Sequence, residues 1–269
     1  MSSTPFPSLV PPAWPLRLAR AGSWLTGAGI ALALASGPAY RAGLASLRAA
    51  LLALAFAALV VLGGTVLALL GFSVASVRRM RFNRTTSALA VAAGMLASAY
   101  LIGWVVRGRA APPIHDISTD LTDPPAFVAV VALRAAAHAV NPPAYAPAER
   151  LPGGRTIEVA ELQRAYSPDI RPLELALDPP AVLQAAERAA QRLGWRIDAF
   201  VPAEGRLEAT DGTLFFGFRD DIVVRVRSNE HGSRLDVRSE SRVGLGDAGT
   251  NARRVRAFLR LVERMSGAR

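Results

Sequence analysis

His115, Asp116 and Asp120 fall within the short run Pro113 to Asp120, and an imidazole beside two carboxylates can hold a metal ion or pass a proton. Their spacing matches no zinc site, and in a Pro-rich stretch Asp, Ser and Thr ordinarily build turns. A second pair, Asp220 and Asp221, precedes an apolar run. Paired carboxylates suit acid–base work, but neighbours on a hairpin point apart, which favours a solvated turn. A third candidate is the Gly-rich stretch Ser241-Arg242-Val243-Gly244-Leu245-Gly246-Asp247 ahead of a helix, a place where an anion can sit. Asp247 fits the helix cap there and repels a second anion. The sequence has no serine nucleophile elbow, no phosphate loop with its lysine and no paired-His zinc motif. With 0 Cys, thiolate chemistry, disulfides and cysteine-bound metals are excluded. No cofactor and no metal is expected.

The elements that must position these residues are legible mainly after Pro179. Val182, Leu183, Ala186, Ala190 and Leu193 recur at helical spacing, and Gly194 closes that helix. Trp195, Ile197, Ala199 and Val201 then alternate as in a half-buried strand, continued by Leu207 and Ala209 and by Leu214, Phe216 and Phe218. Ile222 to Arg227 pairs with Arg234 to Glu240 across a turn containing Gly232. Placing Arg227 opposite Arg234 sets Val226 against Leu235 and Val224 against Val237 on the core face, and Arg225 against Asp236 on the outer face. Asn251 to Met265 is an amphipathic helix with Val255, Phe258, Leu259 and Val262 on one side. Upstream, Asp123 is expected to cap a helix from Pro124 to Val140 with Phe127, Val130, Leu133 and Ala137 inward. Pro-rich loops are expected on either side of it, the second over Asn141 to Gly154. The fold class that follows is an α+β two-layer domain, an antiparallel β-meander flanked by helices. The segment His115 to Asp120, with apolar Ile114, Ile117 and Leu121 among its polar residues, is expected to pack onto the sheet near Arg238 or Arg242.

The first part of the chain obeys different rules. No Asp or Glu precedes Asp116, so all 21 acidic residues lie beyond it. Ala21 to Tyr40, Ala49 to Val77 and Ser87 to Val106 carry no charge and are each long enough to span a bilayer as a helix. Trp24, Tyr40, Phe72, Tyr100 and Trp104 lie near the ends of these stretches, as interfacial rings do. Gly27 with Ala31 and Ala99 with Gly103 are expected to allow close helix approach. The expected division is a transmembrane module over 1–110 and an extracytoplasmic domain over 111–269.

The net charge of +10 belongs to the membrane part and not to a nucleic-acid footprint. Ten arginines precede residue 110, and the 21 others balance the 21 acids downstream. Arg17, Arg20, Arg78, Arg79, Arg81 and Arg84 share one side of a three-span topology and Arg41, Arg48, Arg107 and Arg109 the other. That asymmetry places the N-terminus in the cytoplasm and the last domain outside. A competing reading takes the first span as a cleaved signal peptide, with Ala33-Leu34-Ala35 as the cleavage pattern, and leaves the last domain outside as well. No span carries an ionisable residue, which argues for an anchor and against a transporter. The absence of lysine and the heavy use of Ala and Arg fit a GC-rich bacterial genome.

Specific strings add a resemblance. Pro113-Ile114-His115-Asp116-Ile117-Ser118-Thr119-Asp120, Asn141-Pro142-Pro143, Ala165-Tyr166-Ser167-Pro168-Asp169, and Phe216-Gly217-Phe218-Arg219-Asp220-Asp221-Ile222 occur in that order. Asp236-Val237-Arg238-Ser239, Ser241-Arg242-Val243-Gly244 and Asn251-Ala252 follow. Over nearly all of 112–269 the chain resembles the bacterial family known as domain of unknown function 1499. The resemblance implies no reaction. It directs attention to ligand binding at His115, Asp116, Asp120, Tyr166, Asp220, Asp221, Arg238, Ser241, Arg242 and Asn251; catalytic residues are not indicated. Leu245 departs from the polar residue expected in its loop. The function expected is that of a membrane-anchored, non-enzymatic envelope protein whose outer domain binds a partner protein or small ligand, with no nucleic acid involved. The alternative is an envelope hydrolase or metal-dependent enzyme using His115 and Asp116.

Overall fold

A computed structural model describes residues 13–267; the ends of the two expected modules, 1–12 and 268–269, lie outside the described residues. The chain divides into two compact units, Met1–Val105 and Val106–Arg269.

In the first unit the three uncharged stretches are helices: α1 (Trp14–Arg41), α2 (Leu47–Val77) and α3 (Arg84–Ala110), each long and apolar enough to cross a membrane. Small residues at alternating three- and four-residue spacing form the α1–α2 seam. Ala19, Gly22, Thr26 and Gly29 are buried on α1, and Ala57, Val61, Gly64, Ala68, Gly71 and Ala75 on α2. This is the period of a coiled-coil interface made from small residues, which lets two backbones touch. A Cβ at Gly22, Gly64 or Gly71 would collide with the backbone of the opposite helix. The expected pair Gly27 with Ala31 does not carry this seam; nothing approaches Gly27. Its spacing suits close packing, but the buried stripe runs through Gly22 and Gly29 instead.

In the second unit β1 (Asp116–Ser118) is followed by α4 (Ala129–Ala136), a small hairpin β2 (Ala148–Arg150) and β3 (Thr156–Glu158), α5 (Val159–Tyr166) and β4 (Leu173–Leu175). Then come α6 (Pro179–Arg192), the meander β5 (Arg196–Val201), β6 (Arg206–Gly212), β7 (Arg219–Asn229) and β8 (Gly232–Ser241), and α7 (Thr250–Met265). The main sheet runs β1-β8-β7-β6-β5, with β4 also paired to β8, all antiparallel. The β7–β8 register places Arg227 opposite Arg234, Val226 opposite Leu235, Arg225 opposite Asp236 and Val224 opposite Val237, as the alternation of apolar and charged residues dictates. Leu207, Ala209, Ile222, Val224, Val226, Leu235 and Val237 form one face. They pack with Val182, Leu183 and Ala186 of α6 and with Val255, Phe258 and Val262 of α7 in a single core. Trp195 stacks on Phe258 with ring centroids 5.0 Å apart. Gly194 sits at φ 76°, the left-handed conformation that ends α6 and turns the chain into β5.

Four expectations change. The helix expected over Pro124 to Val140 shrinks to Ala129–Ala136. Asp123 does not cap it; the Glu208 carboxylate of β6 accepts from the N–H groups of Val128, Ala129 and Val130 at 3.0–3.1 Å. The helix therefore starts where a long-range acceptor meets its free amides, and it buries Val130 and Arg134 while Leu133 stays exposed. Leu214, Phe216 and Phe218 do not extend a strand. Residues 213–218 form a closed turn in which Thr213 N donates to the Phe218 carbonyl at 2.8 Å and Gly217 N to the Thr213 carbonyl at 2.8 Å. The loop expected over Asn141 to Gly154 contains β2. The outer face of the sheet is covered by residues 119–141.

Candidate functional site

Side chains alternate across a strand, so β8 sends Asp236, Arg238 and Glu240 to the covered face and Leu235, Val237, Ser239 and Ser241 to the helix face. On the covered face Asp116 of β1 lies opposite Glu240. Its carboxylate accepts from Arg238 Nε at 3.0 Å and Nη2 at 2.8 Å, a two-pronged contact. Arg238 also donates to Glu240 at 3.1 Å, and Glu240 accepts from Arg134 at 2.7 Å. Arg134 donates to Asp221 at 2.8 Å, and Asp221 accepts in turn from Arg242 at 2.7 Å and 2.9 Å. The result is an alternating chain, Asp116, Arg238, Glu240, Arg134, Asp221, Arg242, in which three guanidinium groups alternate with three carboxyl groups. All six residues are buried. Arg238 stacks over Phe127 at 4.6 Å and over Tyr145 at 5.5 Å, and Arg134 over Phe127 at 5.6 Å. An aromatic lid thus replaces the water that charges normally require.

Burial works against the charged form of Glu240. The Glu240 carboxyl is pushed up to about 8, by burial first and by the charge of Asp116 second, against the opposing pull of Arg134 and Arg238. Next to this chain, His115 Nδ1 is buried without a hydrogen-bond partner, 3.6 Å from Glu149 Oε2 on β2. The Glu149 carboxyl is raised by burial, with His115 pulling it down and Asp116 pushing it up. The Tyr145 hydroxyl is likewise buried without a partner, and its ionisation is pushed up to about 12, mainly by burial.

The helix face holds a separate polar group at the start of α7. Asn251 donates to the His115 carbonyl and to Ser241 Oγ, both at 2.9 Å, and accepts from Ser239 Oγ at 2.6 Å. Arg254 donates to Asp220 at 2.6 Å. Asp220 and Asp221, adjacent in β7, therefore point to opposite faces, Asp220 to Arg254 and Asp221 to Arg134 and Arg242; burial in a strand replaces the solvated turn expected for them. Asp247 accepts from the Gly249 and Asn251 amides at 2.7 Å and 2.5 Å, so its carboxylate occupies the helix start as the sequence suggests.

Asp120 belongs to a third group. It accepts from Arg234 at 2.7 Å and from the Thr122 and Asp123 amides at 3.0 Å and 2.9 Å. Its pKa is lowered: burial opposes the shift, and those amides, Arg234 and Arg225 outweigh it. Asp236 accepts from Arg225 and Arg234, both at 3.2 Å. Here the chain leaves β1 and meets the end of α5, and a groove of about 550 Å³ opens. Arg164, Arg171 and Arg234 line it with Asp120, Leu121 and Ile170. Arg234 is tied to Asp120 and Asp236, and Arg171 Nε donates to the Pro168 carbonyl at 3.0 Å. Arg164 makes no ion pair among the described residues. Ser167, another lining residue, has a buried hydroxyl without a partner.

Of the residues singled out from sequence, Asp116, Asp221, Arg238 and Arg242 share one network; His115 adjoins it through Asp116. Asp220, Ser241 and Asn251 share another. Tyr166, exposed at the end of α5, joins neither. Asp116 lies beside Arg238, as expected, whereas Asp120 lies beside Arg234. Arg134, Glu240 and Arg254 went unnoticed. The signal for Glu240 was present: Asp236, Arg238, Glu240 and Arg242 alternate in sign at every second residue, which a solvated face does not need. Among the described residues no group of three or more His, Cys, Asp or Glu side chains is arranged to hold a metal ion.

Residues 116–262 match the model of a family described as a protein of unknown function, DUF1499. The comparison with curated proteins gives no match.

Proposed function

We propose that this chain, which belongs to the DUF1499 family, is a membrane-anchored envelope protein whose second unit binds an anionic group of a small ligand or partner without catalysing a reaction. The groove lined by Arg164, Arg171 and Arg234 carries this reading. Its volume is that of small-molecule sites, and Arg164 and Arg171, beside an Arg234–Asp120 pair that is already neutralised, favour an anion, with Leu121 and Ile170 offering apolar contact. The network supports the non-enzymatic part, because each carboxyl group in it is hydrogen-bonded to guanidinium groups and is closed off from solvent. The three apolar helices serve as the anchor, in the cytoplasmic membrane of a bacterium, with the N-terminus inside and the domain outside, as the arginine asymmetry favours.

Titrating glycerol phosphate against the full chain in detergent should raise its melting temperature, uncharged glycerol should not, and Arg164→Ala should abolish the shift. An equal response of wild type and Arg164→Ala would remove the groove from the reading. The hydrolase alternative rests on the buried His115 beside Glu149. It predicts ester turnover that His115→Ala abolishes, whereas the binding reading predicts no turnover in either protein.

A further inference from the structure

The sheet register gathers several segments at one end of the second unit. Asp116 pairs with Glu240, Gly212 with Arg219 and Asp220 with Ser241. The start of β1, the end of β8 and the β6–β7 loop therefore lie together. Asp247 N donates to the Ile114 carbonyl at 3.3 Å, and Val140 N to the Arg242 carbonyl at 2.9 Å, which adds the loops that carry Leu245 and Val140. This is also the end where the chain enters from α3. The span from Ala110 to Ile114 extends at most about 14 Å.

That end is unusually apolar for loops. Leu214 is 90% exposed, Val140 76%, Leu245 52% and Phe215 37%. Single exposed apolar residues are ordinary, but several on neighbouring loop tips mark a contact surface. The β6–β7 loop is also built to hold its shape: Phe216 stacks on Phe218 at 5.1 Å, and Phe215 meets Phe216 edge-on at 5.0 Å. Exposed Arg219 and Arg253 flank these loops, and Arg107 and Arg109 close α3. The carboxylates at the same end are engaged, Asp211 by Arg254 and Asp247 by the α7 backbone. At the opposite end the β7–β8 turn presents Asn229, Glu230 and His231.

We propose that the end carrying Leu214, Phe215, Leu245 and Val140 docks on the bilayer surface, its apolar tips in the interfacial zone and its arginines on anionic headgroups. Amphipathic anchors combine apolar insertion with basic attraction in this way, and the short connection to α3 holds the end within reach of lipid. The proposal rests on anchoring by α1 to α3 and adds a second, peripheral contact.

The absence of cysteine makes a direct test available. Single-cysteine variants Leu214→Cys, Glu230→Cys and Leu96→Cys of the full chain, labelled with a polarity-sensitive fluorophore, are reconstituted in vesicles of phosphatidylcholine and phosphatidylglycerol. Quenching is then read from spin-labelled lipid and from aqueous iodide. Lipid quenching at 96 and 214, several-fold above that at 230, is expected. Iodide quenching at 214 equal to that at 230, with 96 still quenched from lipid, overturns the docking and leaves the anchor intact. Protection of 214 from both quenchers assigns the surface to a protein and also overturns it. Absence of lipid quenching at 96 defeats the anchor itself, and the docking with it.

Discussion

Both faces of the main sheet bury their central residues, and they do so by opposite means. On one, Ile222, Val224, Leu235 and Val237 meet the helices α6 and α7. On the other, Asp221, Asp236, Arg238 and Glu240 are as deeply buried among arginines, Phe127 and the segment 119–141. Burial of apolar surface is favourable without regard to partner geometry. Burial of charge is tolerated only where every partner is in place, and it contributes little net stability even then. The apolar face thus supplies the stability of the domain, whereas the charged face fixes which segment lies on top of it. The groove at Arg164 and Arg234 exists because that segment is held in one place.

Asp236→Arg should have the largest effect. It sets a further guanidinium among Arg225, Arg227 and Arg234 at a site with no exposure. Losing a buried partner alone costs about 3–5 kcal/mol, and the added repulsion brings the total near the whole stability of an ordinary domain. Protease digestion of the full chain in detergent should find the second unit unfolded; a resistant second unit would mean that the charged face is open to water.

Phe258→Ala tests the other face. Truncating this buried ring, stacked on Trp195, should cost about 4 kcal/mol through lost burial and a residual cavity, read as a shift in the urea midpoint of proteolysis. A cost below about 1 kcal/mol would move the stability of the domain away from the apolar face.

Glu240→Gln isolates the electrostatic contribution. Because the folded chain holds the Glu240 carboxyl up to about 8, against 4.5 ordinarily, it retains a proton that the unfolded chain releases. Stability should therefore fall as pH rises from 4.5 to about 8, and the glutamine variant should lack that part of the slope. Parallel melting curves of the two proteins between those pH values would show that Glu240 is ionised throughout. The smallest effect belongs to Arg256→Ala, which removes a solvent-facing pair with Asp169 at 2.6 Å. Its cost should stay below about 1 kcal/mol in the same proteolysis assay. A larger loss would blur the distinction between paired surface charges and paired buried ones.

How much of this was legible follows the same division. The apolar face could be read because Val224, Val226, Leu235 and Val237 repeat with period two and Arg225 and Asp236 agree on the register. Helices α6 and α7 carry their own period and, in Gly194, a stop. The charged face was obscured because its partners are far apart in sequence: Asp116 finds Arg238 and Arg134 finds Glu240 across more than a hundred residues. Asp123 followed by Pro124 satisfies the local rule for a helix start, yet Glu208 provides the cap, about eighty residues away. Leu214, Phe216 and Phe218 alternate like a strand, but Gly217 at φ 69° turns the chain and stacks the rings. Strand β1 is three residues long, too short to show a period. The groove escaped notice because Arg164, Arg171 and Arg234 come from α5, the loop after it and β8, and no spacing links them.

The central claim, that the segment after α3 is clamped onto a closed charged face, is tested most directly by amide hydrogen exchange on the full chain in detergent. Thr119 N donates to the Val237 carbonyl at 3.0 Å and Ser118 N to Gln163 at 3.0 Å. These amides, with Val128, Ala129 and Val130 on Glu208, should exchange as slowly as those of β8. Glu208→Ala should release 128–130 while β8 stays protected. Exchange throughout 112–122 at the rate of an unfolded peptide would contradict the account.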